Sequence, residues 1–91
     1  MQDFELWILL FDSIHRVIAA EDFFRASSLW CDLVPVPREL SSNCGMALVF
    51  RAEEIDAVRR ILSEGRISPR QLFRPSPAGY VEASELLLNH G

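Results

Sequence analysis

The sharpest chemical feature of the chain is a cysteine followed by a glycine at the end of a polar run. Cys44 closes the stretch Arg38-Glu39-Leu40-Ser41-Ser42-Asn43-Cys44-Gly45. A thiolate is a nucleophile, and a nearby cation or clustered backbone N–H groups lower its pKa. Arg38 lies in the same run and can supply a positive field. Ser41, Ser42 and Asn43 can donate hydrogen bonds to a thiolate or a persulfide. Gly45 lets the backbone take a positive φ or approach a ligand closely. The plainer reading is that Cys44 fills space, since free cysteine is among the most buried residue types. Local chemistry leaves both readings open.

Other candidates are weaker. Cys31 is either a resolving cysteine for Cys44 or a half-buried structural residue, and the second reading is favoured. His15 sits in the first turn of an expected helix. It is either a base or anion binder beside the loop or a solvent-facing histidine. Ser13 reads as a helix N-cap. Arg59, Arg60, Arg66, Arg70 and Arg74 form a mildly basic run, suited to an anion or an acidic partner. Helix-end charge complementarity and a solvated face explain them more simply. The two cysteines and two histidines lack CxxC and HxxxH spacing, so no metal site is expected. No organic cofactor is indicated.

These residues must be positioned by a single small domain. At 91 residues and 10.4 kDa there is no room for a second core. Hydrophobic residues make up 49% of the chain, too many for disorder. The net charge is −4, and all nine cations are arginine. An acidic chain without a basic cluster speaks against nucleic acid or an anionic membrane as the main partner. Two cysteines do not make a disulfide framework, so reducing cytoplasm with both thiols free is expected. Acidic Asp3 and Glu5 precede the first apolar run where a signal peptide wants positive charge, and that run is too short to span a bilayer.

Residues 4–11 are continuously apolar, as a buried central strand is. Residues 14–26 carry Ile14, Val17, Ile18, Ala20 and Phe24 at helical spacing. Residues 32–36 form a second strand, and Pro35 and Pro37 place it at a sheet edge. The loop 38–45 is long for a mere connection, and long ordered loops often carry function. Residues 46–51 form a third strand. A second helix follows with the stripe Ile55, Val58, Ile61 and Leu62, and Gly65 is a natural stop. Residues 67–73 read as a fourth strand, which Pro69 assigns to the other edge. Pro75-Ser76-Pro77-Ala78-Gly79 reads as a linker or turn. Residues 80–90 read as a tail with a short helical pattern.

The expected fold class is therefore α+β. The order β-α-β-β-α-β is the split βαβ, ferredoxin-like arrangement. It implies a four-stranded antiparallel sheet of order 4-1-3-2, two helices on one face and a short C-terminal helical tail. The expected division is a domain over residues 1–74 and a C-terminal extension over 75–91.

The stretch Leu33-Val34-Pro35-Val36-Pro37-Arg38-Glu39-Leu40-Ser41-Ser42-Asn43-Cys44-Gly45-Met46-Ala47-Leu48 resembles the hallmark of the Se/S carrier-like family of small bacterial proteins. That hallmark reads (L/I)-P-V-P-R-E-(I/L)-S-S-x-C-G-x-A-(L/I), and this chain matches it almost residue for residue. The strand ending in Phe11, then Ser13, His15 and Ala20-Glu21, also resembles the family's strand-to-helix segment. The resemblance covers about residues 4 to 73. It implies a carrier of sulfur or selenium, held as a persulfide or selenopersulfide. Carried over, the carrier thiol is Cys44, and Pro37, Arg38, Ser41, Ser42 and Gly45 shape its loop. It also implies a cysteine desulfurase or a selenium-metabolism enzyme as donor or acceptor. Such a chain is a carrier between enzymes rather than an enzyme with its own turnover.

Rivals from other classes are testable. An RNA-recognition fold shares this order of elements, but its third strand needs stacking aromatics. Here Gly45-Met46-Ala47-Leu48-Val49 offers none. A small-ligand-binding or dimerising regulatory module is the better rival, with Cys44 an incidental member of a ligand clasp. Trp7, Trp30, Phe23, Phe24 and the Leu86-Leu87-Leu88 tail also offer apolar bulk for a homodimer or partner interface.

Overall fold

The computed structural model describes residues 5–40, 42 and 44–88. Strand β1 (Leu6–Leu10) leads into helix α1 (Ile14–Ala26). Strands β2 (Cys31–Pro35) and β3 (Met46–Arg51) follow, joined by the cysteine-bearing loop. A 3-10 turn (Ala52–Glu54) opens into helix α2 (Ile55–Glu64). Strands β4 (Gln71–Ser76) and β5 (Gly79–Glu82) form a hairpin, followed by a 3-10 turn (Ser84–Leu87).

The sheet is wholly antiparallel, in the order β2-β3-β1-β4-β5. The expected four-stranded sheet is thus corrected to five strands. The first four keep the expected neighbours, but β4 lies between β1 and β5 instead of at an edge. Pro69 precedes β4 and does not constrain its pairing. Pro75 lies inside β4, yet β1 pairs with β4 only as far as Phe73. The missing N–H of Pro75 therefore removes nothing from the central ladder. The expected linker is the end of β4, a two-residue turn at Pro77 and Ala78, and the start of β5 at Gly79. The expected helical tail begins as a strand because Tyr80, Val81 and Glu82 pair with Pro75, Arg74 and Phe73.

β2 is an edge strand, as its prolines require. The Val36 N–H donates to the Gly45 carbonyl at 3.0 Å, so alternate residues 34 and 32 also face β3. Pro35 then lacks its N–H on the outer side, where an exposed edge would otherwise offer a donor to another strand.

β1 and β3 read as continuous apolar runs because both of their faces are buried. On one face Leu9, Phe11, Leu48, Phe50 and Leu72 pack against Val17, Ala20 and Phe24 of α1 and Val58, Ile61 and Leu62 of α2. Both helices therefore cover the same face. On the other, Ile8, Leu10, Ala47 and Val49 are covered by Val34, Val36, Leu40, Phe73 and Tyr80. The Ser13 side chain caps α1 by accepting from the Arg16 N–H at 3.3 Å. Ile14 and Ile18, expected in the buried stripe, are 39% and 44% exposed. At α2 the left-handed residue is Arg66, at φ +53, rather than Gly65. At Gly65 the issue is contact instead: a Cβ there would lie 3.1 Å from the Phe23 ring, which would have to shift to admit it.

Residues 83–88 close against the domain. Ala83 is buried, and its N–H donates to the Leu72 carbonyl at 2.8 Å. The Leu72 N–H donates to the Ser84 hydroxyl at 3.0 Å. Leu86 and Leu87 pack on the helix-side core.

Candidate functional site

The described residues of the loop between β2 and β3 are tied at its base and at two points within it. The Val36–Gly45 bond closes it. Inside, the Leu40 N–H donates to the Pro37 carbonyl at 3.0 Å, forming a turn. Leu40 packs into the helix-free cluster. Cys44 packs on the helix-side core instead. Leu40 and Cys44 therefore pack on opposite faces of the sheet. The Cys44 N–H donates to the Ser42 hydroxyl at 3.0 Å, a local side-chain turn that fixes the approach to the cysteine. Gly45 follows at φ +80, with open space where a Cβ would stand. Its need is conformational, since an L side chain disfavours that backbone region.

Pro37 is half-buried at the start of the turn, and Arg38 is exposed. Ser42 and Cys44 are half-buried, and Gly45 is exposed. Ser41 and Asn43 lie outside the described residues, as does His90. His15 is exposed in the first turn of α1. The β1–β3 register pairs Leu9 with Leu48. Extended by two residues it sets Phe11 opposite Met46, so the start of α1 and Cys44 share one end of the sheet. The first half of α1 also presents Ile14 and Ile18 at that end, a feature hidden in the sequence because both residues fit the apolar stripe.

Cys31 lies elsewhere. It opens β2 opposite Phe50 and is 8% exposed. Burial pushes its thiol pKa up, opposed by the Arg25 guanidinium. Cys31 lies five residue steps along β2 from Val36, the partner of Gly45, about 17 Å at strand rise. A disulfide needs Cα atoms within about 7 Å. The fold keeps the two thiols apart, so Cys31 cannot resolve a bond on Cys44 within one chain.

Among the described residues, no three His, Cys, Asp or Glu side chains gather as a metal site would need. No helix among them is long and apolar enough to cross a membrane.

The described residues thus form a small α+β domain with a half-buried free cysteine, Cys44, in the connection between β2 and β3. Residues 6–74 match the family described as "Putative Se/S carrier protein-like", and the chain belongs to that family. No curated protein and no solved structure matches it.

Proposed function

We propose that the protein carries sulfur or selenium on Cys44, as a persulfide or selenopersulfide, between a donor enzyme and an acceptor. The observation that carries this reading is the contrast between its two thiols within a carrier family: Cys44 is half-exposed on a shaped loop, and Cys31 is buried in the core. In the loading step the Cys44 thiolate attacks the outer sulfur of a donor persulfide. The donor's S–S bond breaks, its inner sulfur leaves as a thiolate, and a new S–S bond stands on Cys44. An acceptor nucleophile then takes the outer sulfur and releases the Cys44 thiolate. No oxidant is consumed.

Several features support this chemistry. Separation of the thiols prevents Cys31 from discharging the persulfide internally. Pro37 and Gly45 shape the loop, Ser42 holds the Cys44 N–H, and Arg38 and Ser41 complete the motif that the family hallmark requires. His15 and the exposed Ile14 and Ile18 lie at the same end of the sheet and give an enzyme a place to dock. A cysteine desulfurase or a selenium-metabolism enzyme is the expected donor. Reducing cytoplasm suits two thiols that cannot bridge.

Intact mass tests this reading. The protein is mixed with a cysteine desulfurase, pyridoxal phosphate and cysteine. Wild type is expected to gain the mass of one sulfur atom, reversibly with reductant, and Cys44→Ser to gain nothing. Selenocysteine in place of cysteine then sorts the cargo. The exposed Ile14 and Ile18 also favour a dimerising or ligand-binding module as a second reading. An unmodified Cys44 that resists alkylation in the folded state would move the protein to that class.

A further inference from the structure

An open depression of about 1140 Å³ lies between α2, the 65–70 connection and the C-terminal 3-10 turn. Arg59, Arg60, Arg66 and Arg70 line it, four of the nine arginines in a chain of net charge −4. Its walls hold the carboxylates of Asp56 and Glu64. Asp56 contacts Arg59, whose Nη1 also donates to the Leu86 carbonyl at 3.2 Å. That guanidinium is fixed between α2 and the 3-10 turn. Arg60, Arg66 and Arg70 are exposed, and among the described residues none has an ion-pair partner.

Arg66 is the informative member. Its φ of +53 suits glycine and disfavours any L side chain. Its side chain is exposed, so no burial offsets that strain. The neighbouring glycine is committed to the Phe23 ring. A guanidinium thus stands where the backbone alone would favour no side chain.

The depression also has apolar walls. Ile67, Leu87 and Leu88 line it, and Leu88 is 56% exposed. Guanidiniums spread around such walls fit a chain of carboxylates interspersed with apolar side chains. A single small anion wants converging donors instead. A nucleic acid backbone would meet repulsion from the rest of this acidic molecule.

We propose that this depression docks an acidic segment of a partner protein. Its carboxylates pair with Arg60, Arg66 and Arg70, and an apolar side chain rests on Leu87 and Leu88. The site is built without the Cys44 loop and does not depend on the carrier reading.

Fluorescence anisotropy with the full chain tests it. The probe is a labelled peptide alternating Glu or Asp with Leu. Controls are the Gln and Asn version of that peptide, a single-stranded oligonucleotide of similar length, and inorganic phosphate as competitor. The acidic peptide is expected to bind, more weakly as salt rises. Arg60→Gln and Arg66→Gly are each expected to weaken binding by about fivefold, the scale of one partly exposed charge pair. Cys44→Ser is expected to leave binding unchanged. Arg66→Gly relieves the backbone and keeps the fold, so its loss of binding reads the guanidinium directly. Failure of the acidic peptide to bind overturns the proposal. So does equal binding of the amide peptide, tighter binding of the oligonucleotide, displacement by phosphate alone at peptide-like concentrations, or unchanged affinity in both arginine variants.

Discussion

Leu40 and Cys44 are four positions apart and pack on opposite faces of the same sheet. Leu40 joins the helix-free cluster, and Cys44 rests on the helix-side core. The loop is therefore held by contacts on both faces, at Leu40 and at Cys44. Contacts on both faces hold Leu40 and Cys44 in place, an arrangement in keeping with the carrier role proposed for Cys44.

Leu40→Ala is expected to release the loop's contact with the helix-free face. The residue is half-buried, so the loss should be about 1–2 kcal/mol, below that of a full core leucine. Alkylation of Cys44 in the folded state should accelerate. Urea unfolding and a thiol-labelling time course read the two effects. Unchanged labelling would show that Leu40 does not position the cysteine.

Three positions separate conformational from steric roles of glycine. Gly45→Ala meets no atom but must hold φ +80, and should cost about 1 kcal/mol. Gly65→Ala has ordinary backbone but meets Phe23. It should be more favourable in a Phe23→Ala background than in wild type, because a Gly→Ala change at a right-handed backbone without a clash favours folding. Arg66→Gly should raise stability by about 1 kcal/mol by removing left-handed strain. A double-mutant cycle at positions 23 and 65 measures the coupling.

Much of this architecture is legible in the residues. The unbroken apolar runs of β1 and β3 mark strands buried on both faces. Pro35 marks the edge at β2, and Ser13 marks the start of α1. The loop between β2 and β3 stands out by its polarity and by its resemblance to the family hallmark. What is hidden depends on distant partners. Pro75 and Pro77 suggest a linker, and only the short reach of β1 permits Pro75 inside a paired strand. Val81 and Leu86 to Leu88 suggest a helix, although Val81 belongs to β5 and Leu86 and Leu87 to a 3-10 turn. A single leucine in a polar loop has no periodicity to announce that it anchors anything. Gly65 looks like a helix stop because the ring that needs it comes from α1.

Ser84→Ala should expose how firmly the 3-10 turn is tied to the sheet. Leu72 is fully buried, and its N–H relies on the Ser84 hydroxyl. Removing that acceptor leaves a buried donor unsatisfied, at about 1–2 kcal/mol. Thermal unfolding reads the loss, and hydrogen exchange at the Leu72 amide should rise in step. Full protection of that amide in the variant would mean that another acceptor replaces the hydroxyl.

The buried Cys31 should give stability a pH dependence of known sign. Burial raises its folded pKa above the ordinary thiol value, with the Arg25 guanidinium acting in the opposite direction. The folded state therefore holds a proton that the unfolded chain releases. The contribution is fully present below the ordinary thiol pKa and is lost as pH rises from there through the folded value. Unfolding free energy should thus fall on the alkaline side. Cys31→Ala should lower stability throughout by removing core contacts, yet flatten this alkaline slope. Urea titrations from neutral pH upward, on wild type and on Cys31→Ala, compare the slopes. Identical slopes would place the proton loss on another group. The same burial predicts that a small alkylating agent modifies Cys44 alone in the folded protein, and that Cys31 reacts only on unfolding.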